Sequence, residues 1–402
     1  MRKLAIFGGK KTRSTPMPFR QAFGKNEQKN LYKTIQYYRK KRIDPKYKGK
    51  FENQLCRKFS SYMRGGMSVA VSTGTGSIFI ALNSLSLPRG SEVIISPFFE
   101  PGPLSCLIFL GLKPVVADTK PGYFNTNIEE IKKKITKNTS CVILVHSAGE
   151  ALDVIKITKE LKKKNIKVIE DCSQASGAKI NKTRVGSYGD ISAISTMFSK
   201  TLTMSGSGGL VFTKNKKYFK PIIAYSDRGK PSWVKNYDSR DPSKYLYPAL
   251  NWNSNEFSCS VALSSLSRLD ETIKRRMNFI QKLSLSLKKY SNVCRAYDFR
   301  KGSSPYFLPI WIKTDKIKCK KIKFAEAIKK EGIDLNPNYK FLCSDWGWAK
   351  KYFKKKIHIP NAKKVRDNSF NLFLNENYGN KEVKDITKAI LKVEKYFYKS
   401  KK

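Results

Sequence analysis

The feature that most constrains this chain is an alternation of hydrophobic periods that begins near Val69. "MSVAV" has the continuous apolar character of a buried strand, and "TGTGSIFIALNSLSL" turns out of it into a helix. The pattern then repeats. "SEVIISP" reads as a strand and "PGPLSCLIFLGL" as a helix ended by Gly111. "KPVVADT" and "CVILVHSA" read as strands, "ALDVIKITKELKKKN" as an amphipathic helix, and "IKVIEDC" as another strand. Apolar strands separated by helices bury both faces only as a mostly parallel sheet with helices on each side, so the expected class is α/β. Ligands of such sheets sit beyond the carboxyl ends of the strands.

Three strand ends carry the chemistry. In "STGTGS" (72–77) the backbone N–H groups of Gly74 and Thr75, with the positive end of the helix that follows, suit a phosphate, although such residues often form only a turn. In "VIEDCSQASG" (168–177) Asp171 closes an apolar strand and Gln174 stands three residues on; taken alone, a carboxylate there is more often a helix cap or a substrate ligand. In "ISAISTMFSKTL" (191–202) an apolar run ends at Lys200, with Ser195 five residues earlier. A chain with 80 Lys and Arg among 402 residues places lysines at strand ends by chance. The combination is more specific. An aldehyde cofactor with a phosphate tail needs a lysine to bond, a carboxylate against its ring nitrogen, and a cradle of hydroxyl and N–H groups.

The stretch "VIEDCSQASGAKINKTRVGSYGDISAISTMFSKTL" resembles the central block of the DegT/DnrJ/StrS sugar aminotransferases, which runs roughly VIEDAAQAHGA…GKxVGSFGDIxxFSFFxxKxL. "VAVSTGTGSIFIAL", "SEVIISPFF", "GLKPVVADT", "CVILVHSAGEALD", "SGSGGLVFT", "LSRLDETIKRRMNFI", "EGI" and "IPNAKKV" follow in family order along nearly the full length. The resemblance implies a fold-type-I enzyme that uses pyridoxal 5′-phosphate (PLP). It makes Lys200 the lysine that bonds the cofactor, Asp171 the partner of its ring nitrogen, and Gln174 the neighbour of its phenolic oxygen. Gly74, Thr75 and Ser195 match phosphate-cradle positions. Asn251 in "ALNWNSNE" matches an asparagine that reaches the phosphate from the neighbouring subunit, which implies a homodimer with shared sites. His146 falls where the family often has a histidine, with a structural role an equal alternative. Relatives that act as sugar dehydratases carry histidine where this chain has Lys200, so transamination leads: an amino acid, glutamate in the usual case, as donor and a nucleotide-linked keto-sugar as acceptor.

The chain also departs from the family pattern. In "SPFFEPGPLS" Pro101 occupies the counted position of the aromatic ring that stacks on the cofactor, leaving Phe98 or Phe99, in a shifted loop, or no ring at all, to take that part. Asn253 stands where arginine is usual, Ser176 replaces the histidine of "QAHGA", and "SGSGG" lacks the glutamate of "GEGG". These changes motivate an alternative, a PLP-binding regulator or carrier without transaminase activity.

Length and charge complete the expectations. A chain of 402 residues exceeds one ordinary core. Residues 1–50 read as an arm and a helix, 51–265 as a large cofactor-binding domain, and 266–402 as a smaller α/β domain, opened by one amphipathic helix, "LSRLDETIKRRMNFIQKLSLSLKKY". The formal charge of +49 invites a polyanion partner. Yet the lysines are spread over amphipathic helices and turns, with no basic and aromatic platform, so no specific nucleic-acid binding is expected. The eight cysteines form no C-x-x-C pair and only two histidines could join them, which argues against a metal site. No apolar run approaches a membrane span, and a cytoplasmic location is expected.

Overall fold

The computed structural model describes residues 3–20, 22–353 and 356–399. After an extended N-terminal segment come α1 (Lys25–Lys41) and α2 (Lys50–Tyr62). The alternation then unfolds as the sequence pattern requires: β1 (Met67–Val71), α3 (Gly74–Ser84), β2 (Glu92–Ile95), α4 (Pro101–Phe109), β3 (Lys113–Val116), α5 (Ile128–Lys132), β4 (Thr139–Val145), α6 (Val154–Lys162) and β5 (Lys167–Asp171). A short hairpin, β6 (Lys179–Ile180) and β7 (Thr183–Arg184), precedes β8 (Ile191–Ser195), β9 (Gly209–Thr213) and α7 (Lys216–Ser226).

Among the described residues seven strands form one sheet in the order β1-β9-β8-β5-β4-β2-β3. β2, β3, β4, β5 and β8 run parallel, and β9 lies antiparallel to both β1 and β8. Strand residues alternate between two packed layers, because successive side chains leave opposite faces. Cys141, Ile143 and Val145 of β4 pack with α3 and α4, whereas Val142 and Leu144 pack with α5 and α6. Leu210 and Phe212 of β9 face Leu55 and Phe59 of α2, and Val211 faces the opposite layer. Register brings the carboxyl ends level, with Val145 beside Asp171 and Asp171 beside Ala193.

The helix expected from Leu266 begins at Leu269 instead: α8 (Glu256–Ser267) ends just before α9 (Leu269–Tyr290), and the two break at Arg268, where the backbone leaves the helical region (φ −107°, ψ 5°). α9 leads to β10 (Cys294–Ala296), β11 (Phe307–Ile312), α10 (Lys321–Lys330), β12 (Leu335–Asn336), α11 (Pro360–Asp367), β13 (Ser369–Phe373) and α12 (Asn380–Phe397). These strands make a four-stranded antiparallel sheet, β10-β11-β13-β12. Phe370 and Leu372 of β13 join the core with Phe324 of α10 and Ile390 of α12.

The N-terminal segment runs as a strap across both parts. Glu331, after α10, accepts from the N–H of Ala5 (2.8 Å) and of Thr12 (2.9 Å). Arg13, 6% exposed, pairs with Glu382 (3.1 Å) and Asp385 (2.8 Å) of α12. Farther on, Arg20 donates to the carbonyl oxygens of Phe198 (2.8 Å) and Lys200 (2.7 Å). None of the described helices is long and apolar enough to cross a membrane.

Candidate active site

A cavity of about 790 Å³ opens at the carboxyl ends of the parallel strands, between them, the four-stranded sheet and the strap residues Pro16–Arg20. Gly74, Thr75, Phe99, Asp171, Gln174, Ser195 and Lys200 all line it. Asn251 does not. It is exposed, its Nδ2 lies 3.4 Å from the Tyr47 hydroxyl, and its Oδ1 accepts from the Asn253 side chain (2.8 Å).

Of the three positions matched to a phosphate cradle, Gly74 and Thr75 sit on the first turn of α3 and Ser195 ends β8. Thr73 caps that helix, its Oγ1 accepting from the N–H of Gly76 (2.8 Å) and its carbonyl from that of Ser77 (3.1 Å). The N–H groups of Gly74 and Thr75 have no acceptor among the described residues, as the first turn of a helix leaves them. Glycine at 74 is a packing requirement: a Cβ there would lie 2.4 Å from Cβ and 2.7 Å from Oγ of Ser195. The helix end thus closes directly on the last residue of β8, whose own N–H donates to Ser173 Oγ (2.9 Å).

Asp171 ends β5, 7% exposed, and one of its carboxylate oxygens accepts from the N–H of Ser173 (3.0 Å). Gln174 is oriented by its carbonyl oxygen, which accepts from the N–H of Ala148 (2.8 Å) and leaves the NH2 end near the Tyr339 hydroxyl (3.5 Å). Ala148 itself holds a left-handed backbone (φ 60°), so this bond also fixes a strained turn. Lys200 is 8% exposed, with Nζ 4.6 Å from the ring centre of Tyr306, whose hydroxyl lies 2.9 Å from Ser199 Oγ. Together with the two Arg20 bonds, this pins the turn that presents the lysine.

Of the two aromatic candidates, Phe99 lines the cavity, packed edge-on to Trp346 at 5.2 Å. Phe98 turns the other way, against Phe124 (5.1 Å) and Tyr339 (5.9 Å). Pro101 is the first residue of α4, beyond the Glu100 cap. His146 stands outside the cavity lining and is fully buried: Nδ1 accepts from the N–H of Leu152 (3.1 Å), so Nε2 carries the proton and donates to Glu170 (3.1 Å). Glu170 also takes the N–H groups of Gly186 (2.7 Å), Tyr188 (2.8 Å) and Gly189 (2.6 Å). Burial alone would raise its carboxyl, but the His146 and backbone donors outweigh that and hold it below the ordinary value. With both ring nitrogens committed, the His146, Glu170 and Cys172 grouping is a structural network.

Residue spacing did not single out Arg20, Tyr306, Asn336, Tyr339 or Asn371, all of which line the same cavity. They arrive from remote segments, and the polar residue inside the apolar run "SFNLF" is the only local mark any of them leaves.

The sequence matches the DegT/DnrJ/EryC1/StrS aminotransferase family over residues 31–391. The chain belongs to that family. Family membership makes it an aminotransferase of the PLP-dependent kind, as the resemblance implied. It is 29% identical to the GDP-perosamine synthase of Escherichia coli O157:H7 over 57% of this chain and 61% of that one. It is 24% identical to a spore coat polysaccharide biosynthesis protein of Bacillus subtilis over 85% of this chain and 89% of the other. In three dimensions the aminotransferase of Psychrobacter cryohalolentis superposes with a TM-score of 0.86, at 22% identity, over 95% of this chain and all of that one (100%).

Proposed function

We propose that this family member moves an amino group from an amino acid, glutamate in the first instance, to a keto-sugar carried on a nucleoside diphosphate. The observation that supports the reading most is the meeting, in one cavity, of Lys200, Asp171, Gln174 and the α3 first turn with its two unclaimed N–H groups. The nucleotide-sugar relatives, among them a UDP-N-acetyl-3-dehydro-glucosamine 3-aminotransferase of Acidithiobacillus ferrooxidans, 34% identical over 43% of this chain and 48% of that one, support the acceptor class.

The donor set fits PLP. Unclaimed N–H groups at a helix N-terminus and a serine hydroxyl beneath them suit a phosphate dianion, and a near-buried carboxylate suits a protonated ring nitrogen. Gly74, Thr75 and Ser195 would hold the phosphate, Phe99 would lie along the ring, and the Gln174 NH2 would donate to the phenolic oxygen. When bound, PLP stores the amino group between the two half-reactions and accepts the electron pair left when a proton leaves the substrate carbon. Asp171 sets its negative charge against the ring nitrogen and keeps it protonated. Lys200, as a free amine, takes a proton from the donor's α carbon and later returns one to the acceptor carbon. Tyr306, Ser199 and Arg20 hold that amine in place. The four-stranded sheet and the strap cover the cavity and keep water from the reacting carbon.

We further propose the division into residues 51–265 and 266–402 with an N-terminal arm, a cytoplasmic location, and a homodimer in which Asn251 of each subunit serves the other's phosphate. The deciding experiment adds glutamate to PLP-loaded protein and follows conversion of the cofactor to its amine form by absorbance. A panel of nucleotide-linked keto-sugars is then searched by mass for an aminated product. Lys200→Ala should abolish both steps; conversion that survives in Lys200→Ala, or fails in the unaltered protein, refutes the reading.

A further inference from the structure

Resting on the sugar-acceptor reading, we infer that Asn371 reads the hydroxyl groups of the acceptor ring from a neutral subsite on the wall formed by the four-stranded sheet. β13 alternates there: Phe370 and Leu372, each 1% exposed, enter the core, while Asn371 and Phe373 line the cavity. Asn371 is only 2% exposed, and neither its Oδ1 nor its Nδ2 has a hydrogen-bond partner among the described residues. Buried side-chain amides are nearly always paired, since an unmet donor or acceptor keeps its full desolvation cost. An amide with both ends unmet, on a residue that lines a cavity, is therefore a group for which a ligand is the missing partner.

Its neighbours narrow the ligand. Pro309, opposite on β11, has no N–H to offer, and Asn336, opposite on β12, spends its own Oδ1 on the N–H of Asn338 (3.0 Å). Asn375 is committed at both ends, donating to the Pro18 carbonyl (2.6 Å) and accepting from the N–H of Asn377 (2.8 Å). Asn371 remains, with a donor and an acceptor side by side. Two adjacent ring hydroxyls, each able to give and take one hydrogen bond, complement that fork. An anion is a poorer match, because the amide carries no charge and Arg20, which also lines the cavity, already spends two of its nitrogens on backbone carbonyls.

The test uses PLP-loaded Asn371→Leu, close in shape and apolar, and Asn371→Asp, which keeps the shape but loses the donor. UDP-glucose, dTDP-glucose and GDP-mannose are titrated by calorimetry, each against its nucleoside diphosphate alone, and the hexose increment is the ratio of the two affinities. Asn371→Leu should melt no lower than the unaltered protein, because an unmet polar group has been removed, and should lower the hexose increment about tenfold while the nucleoside diphosphate binds as before. Asn371→Asp should also lower it. A lowered melting temperature with an unchanged increment marks a structural residue and overturns the inference, as does an increment absent from the unaltered protein for all three sugars. Glutamate-driven conversion of the cofactor, read on the same samples, separates this from the parent reading. Conversion with an increment indifferent to Asn371 sinks the subsite alone. An increment that depends on Asn371 without conversion sustains the subsite and refutes transamination.

Discussion

Replacing Gly74 by alanine tests the claim that the first turn of α3 is held against β8 in order to bind phosphate. The new Cβ would stand 2.4 Å from Ser195 Cβ, 2.7 Å from its Oγ and 2.9 Å from its Cα. Carbon atoms pack at about 3.5–4.0 Å, so roughly 1 Å of retreat is required. Ser195 cannot give way, since it is paired with Gly209 in the sheet and tied to Ser173 through its N–H. The helix end must move instead. Alanine regains about 1 kcal/mol of helix propensity against an overpacking cost of about 1–3 kcal/mol, so the net loss of stability is about 0–2 kcal/mol. Cofactor affinity suffers more. Hydrogen bonds to a charged group contribute about 1.5–3 kcal/mol each, and a shift that halves two of them weakens PLP binding by about 1.5–3 kcal/mol, or roughly 10- to 150-fold. Titration of the apoprotein with PLP, followed by absorbance, measures the change. Gly76→Ala is the control, because a Cβ there would press on the Trp252 ring at 2.7 Å, and Trp252 does not line the cavity. It should lower the melting temperature and spare PLP affinity. If Gly74→Ala binds PLP within threefold of the unaltered protein, the α3 cradle is wrong.

Burial pushes the Glu52 carboxyl from 4.5 up to about 7 against the opposing pull of the Lys48 amide. The folded protein then holds this proton more tightly than the unfolded chain, so the contribution is full below pH 4.5 and is lost as pH rises through about 7. That is worth about 3 kcal/mol, and Glu52→Gln should flatten the fall in melting temperature between about pH 5 and 8; a curve parallel to that of the unaltered protein contradicts the assignment. Mixing Asn251→Ala with Lys200→Ala protein should restore some activity, because a heterodimer with shared sites contains one intact site. Silence from a mixture shown to exchange subunits, each variant being inactive alone, places both residues in one chain's site.

The residues that spacing did find, Gly74, Thr75, Asp171, Gln174, Ser195 and Lys200, all lie at or just past the carboxyl end of a strand in the alternating region. Such positions are legible because the strand pattern itself says where the ligand edge is. The others obey no local rule. Arg20 reaches Lys200 across 180 residues of chain and Tyr306 reaches Ser199 across 107, so only the assembled sheet brings them together. Asn371 is misleading in sequence, since a polar residue alternating with apolar ones reads as facing solvent, whereas that face of β13 borders the cavity. The choice between Phe98 and Phe99 needed the direction of the chain at the Glu100 cap, which two adjacent, identical residues do not encode. The break at Arg268 was likewise hidden, because apolar periodicity continues across it.

The strap also sets an order of assembly. Its anchors, Glu331, Glu382 and Asp385, stand 326, 369 and 372 residues further along the chain than the strap residues they hold, so they are synthesised long after it. Until the last helix has emerged, Arg13 has no carboxylates to dock on, and holding Arg20 against the carbonyls of Phe198 and Lys200 would have to offset the disorder of a free chain end unaided. The lysine turn therefore takes its final form only once α12 has been made, and a protein clipped before α12 should carry the sheet and the lysine without the strap's hold on that turn.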